Sequence, residues 1–141
     1  MYEFVQYTAG DVMTGDPITV GEQATLAEAQ ALFERHGFNG MPVVDNGGAL
    51  AGFVTKMDVL RAFTLRPDYM VPPYSKIMQE PVDHVMTRST VFVPPDCPLT
   101  RVLQRLVDLG VKSLPVVDAN GRLVGVVARE DVLRALRDAT E

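Results

Sequence analysis

The chain has 141 residues, 47% of them hydrophobic and 22% charged, with a formal net charge of −5 at pH 7. That length can bury a sizeable core, and the composition is globular rather than disordered. The acidic balance, with no Lys/Arg-rich run to offset it, argues against a nucleic-acid surface, because phosphate binding needs a basic patch.

No apolar run approaches a membrane span; Val124-Gly-Val-Val-Ala128 is typical. Met1-Tyr-Glu-Phe-Val5 carries neither a charged leader nor a cleavable apolar core, so neither a signal peptide nor a membrane partner is expected. The single cysteine, Cys97, cannot form an internal disulfide, and a cytoplasmic location is the natural expectation. Beside Pro98 it has two readings, a thiol of lowered pKa or a buried inert side chain, and the second carries more weight.

In chain order, residues 1–10 read as an arm whose Tyr2, Phe4, Val5 and Tyr7 can pack on the body. Pro17 to Val20 predicts a short strand. Thr25-Leu-Ala-Glu28 has the form of a capping box, and Leu26, Ala29, Leu32 and Phe33 follow at helical spacing as one buried face. Gly37 caps that helix, which places His36 at its C-terminal end, where a cation is favoured. Pro42 to Asp45 and Leu50 to Val54 are strands around a turn at Asn46-Gly47-Gly48. The helix from about Lys56 should bury Val59, Leu60 and Phe63. Residues 64–83, broken by Pro67, Pro72, Pro73 and Pro81, read as a linker with one short helix from Tyr74 to Gln79. Its Tyr69, Met70, Val71, Tyr74, Ile77 and Met78 are too apolar for a free tether.

The plan then recurs. Val91-Phe-Val93 is a strand, and Leu99, Val102, Leu103, Leu106 and Val107 form a helix face before Gly110. Leu114 to Asp118 and Leu123 to Val127 are strands, and Val132, Leu133 and Leu136 point inward on the last helix. Met41-Pro-Val-Val-Asp45 matches Leu114-Pro-Val-Val-Asp118, and Asp58-Val-Leu-Arg61 matches Asp131-Val-Leu-Arg134. Val12-Met-Thr14 matches Val85-Met-Thr87 without a gap, so equivalent residues stand 73 positions apart. Each copy is β-α-β-β-α and has too few strands to bury its own apolar face. Two copies sharing one core through a pseudo-two-fold make an α/β (α+β) module: repeat 11–63, linker 64–83, repeat 84–136. Phe33, Phe63, Leu106 and Leu136 lie on faces that one module leaves incompletely covered, which predicts a homodimer.

The chemistry concentrates at Gly52-Phe-Val-Thr55-Lys-Met-Asp58, a strand-to-helix junction. An ionised carboxylate there can accept both hydroxyls of a vicinal diol, as an acid does in dinucleotide-binding folds. Thr55 and Asp58 also make a plain helix-capping pair, and the two roles are compatible. The second copy keeps Asp131 but has Ala128 in place of Thr55. His36 and His84 are too scattered for a metal cluster. With no nucleophile–base set and no P-loop, no catalytic role is expected.

Val-Met-Thr, a helix ending in Gly, Leu/Met-Pro-Val-Val-Asp, and the Gly-to-Asp run resemble the CBS domain, the regulatory module of cystathionine β-synthase. Two in-register copies resemble the tandem CBS pair over residues 11–63 and 84–136. The resemblance implies clefts between the repeats that bind adenine nucleotides or adenosyl compounds, with no obligatory cofactor, and further pairing into dimers. Carried over, Asp58 and Thr55 would face Ser89, Val91, Val111, Lys112 and Ser113. Backbone groups near Ser89 and Val91 would read adenine, Val111 would pack on its face, and Lys112 stands where relatives often carry a phosphate ligand. As plain chemistry, Lys112 reads equally as a solvated lysine. The weaker cleft would combine Asp131 with Asp16, Ile18, Phe38 and Asn39. It lacks the Thr55 hydroxyl and the Lys112 charge, so AMP, ADP or ATP should prefer the first, leaving the second empty or holding an uncharged-tail ligand such as an adenosyl thioether; an S-adenosyl-type ligand is the other candidate for the chain. The expectation is a ligand-sensing regulatory module, acting on an effector protein the sequence does not name. The alternative is a dimerisation or partner-docking module with vestigial clefts.

Overall fold

The computed structural model describes residues 2–64, 73–88 and 91–140. Along the chain run helices α1 (Tyr2–Gln6) and α2 (Ala9–Val12), strands β1 (Thr14–Gly15) and β2 (Val20–Gly21), helix α3 (Leu26–His36), and strands β3 (Gly40–Val44) and β4 (Leu50–Thr55). Helices α4 (Lys56–Thr64) and α5 (Tyr74–Met78), a 3-10 turn (Val82–His84), α6 (Leu99–Leu109), strands β5 (Ser113–Val117) and β6 (Leu123–Ala128), and α7 (Arg129–Thr140) complete the order. The result is a mixed α/β fold with two small sheets, ordered β2-β3-β4 and β1-β6-β5. No helix among the described residues is long and apolar enough to cross a membrane.

The chain divides into two compact units, one of Met1–Pro17 with Val91–Glu141 and the other of Ile18–Thr90. In the second, the Thr25 hydroxyl accepts the Glu28 N–H (3.1 Å) to start α3, and Gly37 ends it in the left-handed region at φ 67°. Gly110 ends α6 in the same way at φ 65°. Each hairpin turns on one aspartate. Asp45 Oδ1 accepts the N–H groups of Gly47 and Ala49, and Asp118 Oδ1 those of Asn120 and Arg122. β3 and β4 pair antiparallel, as do β5 and β6, each with a register shift at the same place, Val43/Val44 and Val116/Val117.

The sequence repeat and the compact unit are different divisions. β1, at the head of the first repeat, pairs with β6, whereas Thr87, its equivalent, pairs with Phe53 in β4. The 73-residue correspondence also continues into the arm and the linker. Ala9 N–H donates to the Cys97 carbonyl (2.9 Å) just as Val82 N–H donates to that of Ala24 (2.7 Å). Leu99 N–H reaches Tyr7 as Leu26 N–H reaches Glu80, both at 2.9 Å. Phe4 and Ile77 stand at equivalent places, and each is 2% exposed. Phe4 joins a core of Val93, Leu99, Val102, Leu114, Val116 and Val127; Ile77 joins one of Leu26, Phe33, Met41, Val43 and Val54. The arm and α5 are therefore the same element, used once in each unit.

Several expectations are corrected. Leu60, Val107 and Leu133 are exposed at 59%, 68% and 64% instead of facing the core. Helical spacing marks an apolar stripe wider than the part a small sheet and one neighbouring helix can cover. Phe63 is half-buried under a stacked Tyr74 ring (centroids 5.8 Å). The strand expected over Pro17 to Val20 shrinks to Val20–Gly21, because Ile18 is exposed and only Val20 and Gly21 find partners, in β3. Of Val91 to Val93, only Val93 bridges a strand, at Val116, while Val91 and Phe92 are exposed. Tyr69, Met70, Val71 and the Tyr2 side chain lie outside the described residues.

Candidate functional site

Thr55 ends β4 and Asp58 lies in the first turn of α4, so the hairpin and the helix position them together. Asp58 N–H donates to Thr55 Oγ1 (3.1 Å), and Thr55 N–H donates back to Asp58 Oδ2 (2.9 Å). This is a complete capping box, two free helix-start donors satisfied reciprocally. The other oxygen, Oδ1, accepts Nη1 of Arg61 at 3.0 Å. The Asp58 side chain is only 7% exposed, and burial of an ionised carboxylate requires such partners.

The equivalent junction in the other unit is built alike, with one part missing. Ala128 N–H donates to Asp131 Oδ2 (2.8 Å) and Arg134 Nη1 lies 3.3 Å from Oδ1, but no hydroxyl meets the Asp131 N–H. The sequence signal for these arginines is Asp-Val-Leu-Arg in both copies, which the capping reading of Asp58 leaves unused: an acid and a base three apart meet on a helix.

The remaining predicted residues sort by unit. In the unit of Thr55 and Asp58, Phe38 is half-buried and stacks on His36 (5.2 Å), and Ile18 is exposed. Exposed Asn39 accepts the Lys56 N–H on its carbonyl (2.9 Å). In the unit of Asp131, the Lys112 carbonyl accepts the Arg129 N–H (3.0 Å), the Val111 carbonyl accepts Arg129 Nε (2.9 Å), and Ser113 pairs with Ala128. Each unit thus joins residues from both predicted sets: Phe38 and Asn39 beside Thr55 and Asp58, Val111 to Ser113 beside Ala128 and Asp131. The Lys112 side chain is exposed, with no ion pair among the described residues. Val91 is exposed at the start of its segment. Asp16 is exposed with φ 48°, a left-handed conformation that aspartate tolerates better than most residues. Ser89 lies outside the described residues.

Other chemistry is sparse. Among the described residues no group of three His, Cys, Asp or Glu could hold a metal ion. Cys97 is buried, and burial pushes its thiol above the ordinary value, more than Arg101 and Arg105 pull it down. It is therefore a poor nucleophile at neutral pH.

Homoserine O-acetyltransferase from Methanococcoides burtonii is 30% identical over 137 residues, which is 96% of this chain and 26% of that relative. The chain thus spans about a quarter of that relative's length, and 22% and 15% of the next two. Among solved structures, CBSX2 in complex with AMP is 29% identical with a TM-score of 0.81, covering 96% of this chain and 99% of that one. The CBS domain pair of protein MJ0100, in complex with 5′-methylthioadenosine and S-adenosyl-L-methionine, is 26% identical with a TM-score of 0.73, covering 95% and 98%. The family model for the CBS domain matches twice, over residues 9–65 and 82–138. With both repeats matched over nearly their whole length, the chain belongs to the CBS domain family as a tandem pair.

Proposed function

We propose that this chain is a regulatory module that senses an adenosyl compound, AMP, ADP or ATP or an S-adenosyl-type ligand, without an obligatory cofactor. The observation that carries the reading is the likeness, along nearly the whole chain, to one CBS pair holding AMP and another holding 5′-methylthioadenosine and S-adenosyl-L-methionine. Those ligands share a ribose with a vicinal diol, and Asp58 is a buried carboxylate at a helix start suited to accept it. In this reading Thr55 holds Asp58 in place, and Ser89 and Val91 offer backbone groups to adenine. Val111 and Ser113 flank the base, and Lys112 takes phosphate. Asp16, Ile18, Phe38, Asn39 and Asp131 form the weaker set. The role is regulatory and not catalytic; the stretch this chain resembles is only 26% of the relative named homoserine O-acetyltransferase, which supports a place beside the chemistry and not in it. It acts in the cytoplasm as a homodimer that passes its signal to an effector protein.

A melting-temperature screen against AMP, ADP, ATP, 5′-methylthioadenosine and S-adenosylmethionine tests this. At least one should raise the melting temperature, and calorimetry should find one site per chain tighter than the other. A flat response to all five would turn the reading over to the alternative, a dimerisation or docking module. Exposed Leu60 and Leu133 favour that second reading, as does a capping box at Thr55 and Asp58 that helix formation alone explains.

A further inference from the structure

We infer that Arg61 competes with the ligand: it is a displaceable counter-ion on Asp58 Oδ1 that sets how tightly a vicinal diol is held. The inference rests on the ribose assignment proposed above. The two oxygens of Asp58 differ in what holds them. Oδ2 takes the Thr55 N–H, which the turn into α4 fixes. Oδ1 takes Nη1 of Arg61 at 3.0 Å, the tip of a long side chain that is 63% exposed. A diol arriving at this carboxylate therefore meets an oxygen already covered by a cation on an exposed side chain. Displacing that cation returns it to water, and the ligand's hydroxyls compensate the buried charge in its place, so the cost is that of an ion pair whose cation is exposed and whose carboxylate is buried.

The arrangement occurs twice. Arg134 Nη1 lies 3.3 Å from Asp131 Oδ1, with the arginine side chain 57% exposed and the aspartate side chain 11%. Two copies that differ at the capping position, Thr55 against Ala128, keep the same covered carboxylate, so the arginine is not an accident of one helix end.

Titration with adenosine tests the competition, because an uncharged nucleoside gives Arg61 no phosphate to hold. Arg61→Met, which keeps the stem and removes the charge, should tighten adenosine binding by at least about threefold, since even a fully exposed ion pair reaches that scale. Arg61→Gln should do the same, Arg61→Lys should stay near wild type, and Arg134→Met should leave the tighter site unchanged. If Asp58→Asn weakens adenosine binding while Arg61→Met and Arg61→Gln leave it equal or weaker, the competition is wrong and the ribose assignment stands. If wild type does not bind adenosine, or Asp58→Asn binds it equally well, the assignment fails and the competition with it.

Discussion

The Asp58 carboxylate caps a helix on one oxygen and holds a guanidinium on the other, so removing its charge acts on stability and on ligand affinity at once. Asp58→Asn should cost about 1 kcal/mol of stability through the weakened cap. If the diol binds there, it should also weaken the tightest ligand by roughly 1.5–3 kcal/mol, tenfold or more. Asp131→Asn, at the same helix position, should show the stability loss and keep the ligand response; chemical denaturation and calorimetry read the two quantities separately. Cys97 makes a prediction of the opposite kind. Its thiol stays protonated in the folded chain above the ordinary 9.0, so the folded state binds more protons than the unfolded one as pH rises past that value. Stability contributed there is present below pH 9.0 and is lost as pH climbs through the higher folded value. Alkylation by iodoacetamide at neutral pH should be slow until denaturant is added. Rapid labelling of the native chain would show that the thiol is neither buried nor raised.

Helix α7 starts without the hydroxyl that α4 has, although its N–H and carboxylate are placed alike. Ala128→Thr should therefore stabilise the chain by about 1 kcal/mol, read as a shifted denaturation midpoint at constant slope. Gly52 is constrained from the other side. A Cβ there would strike the Thr87 carbonyl oxygen and lie 3.2 Å from Met86 Sδ, in the line where Phe53 and Thr87 exchange two 2.9 Å hydrogen bonds. Gly52→Ala should cost about 1–3 kcal/mol, whereas Gly21→Ala, with open space around the added carbon, should cost far less. What could be read from the sequence follows the reach of each interaction. Caps and hairpins are local: Thr25, Gly37, Gly110 and the turns after Asp45 and Asp118 were all legible. So was the Thr55–Asp58 pairing, through its three-residue spacing. The equivalence of the arm with α5 was not, because Phe4 against Ile77 and Ala9 against Val82 share apolar character and burial but no identity. The exposure of Leu60 and Leu133 was equally hidden, since it depends on what the rest of the fold leaves uncovered.

At the scale of the whole molecule those two leucines matter most. Leu60 and Leu133 are equivalent residues on α4 and α7, and Met57 adds a further apolar side chain, 54% exposed, one turn before Leu60. Large apolar side chains left outward at matching places favour association with a second copy. Wild type should sediment as a dimer, and Leu60→Asp combined with Leu133→Asp should give a monomer with an unchanged far-ultraviolet spectrum. A wild-type chain that stays monomeric at high concentration, with and without ligand, would count decisively against the homodimer.

The unit of Ile18–Thr90 is one unbroken stretch, whereas the other joins Met1–Pro17 to Val91–Glu141. On the ribosome this separates the order of synthesis from the order of assembly. Residues 18–90 emerge together and can finish folding while translation continues. Phe4 and Ala9 emerge earlier still, yet α6, β5 and β6, which cover them, are made last. Within that unit the residues made earlier are thus among the last to be buried, and a translational pause just after Thr90 leaves Phe4 and Ala9 without the elements that cover them.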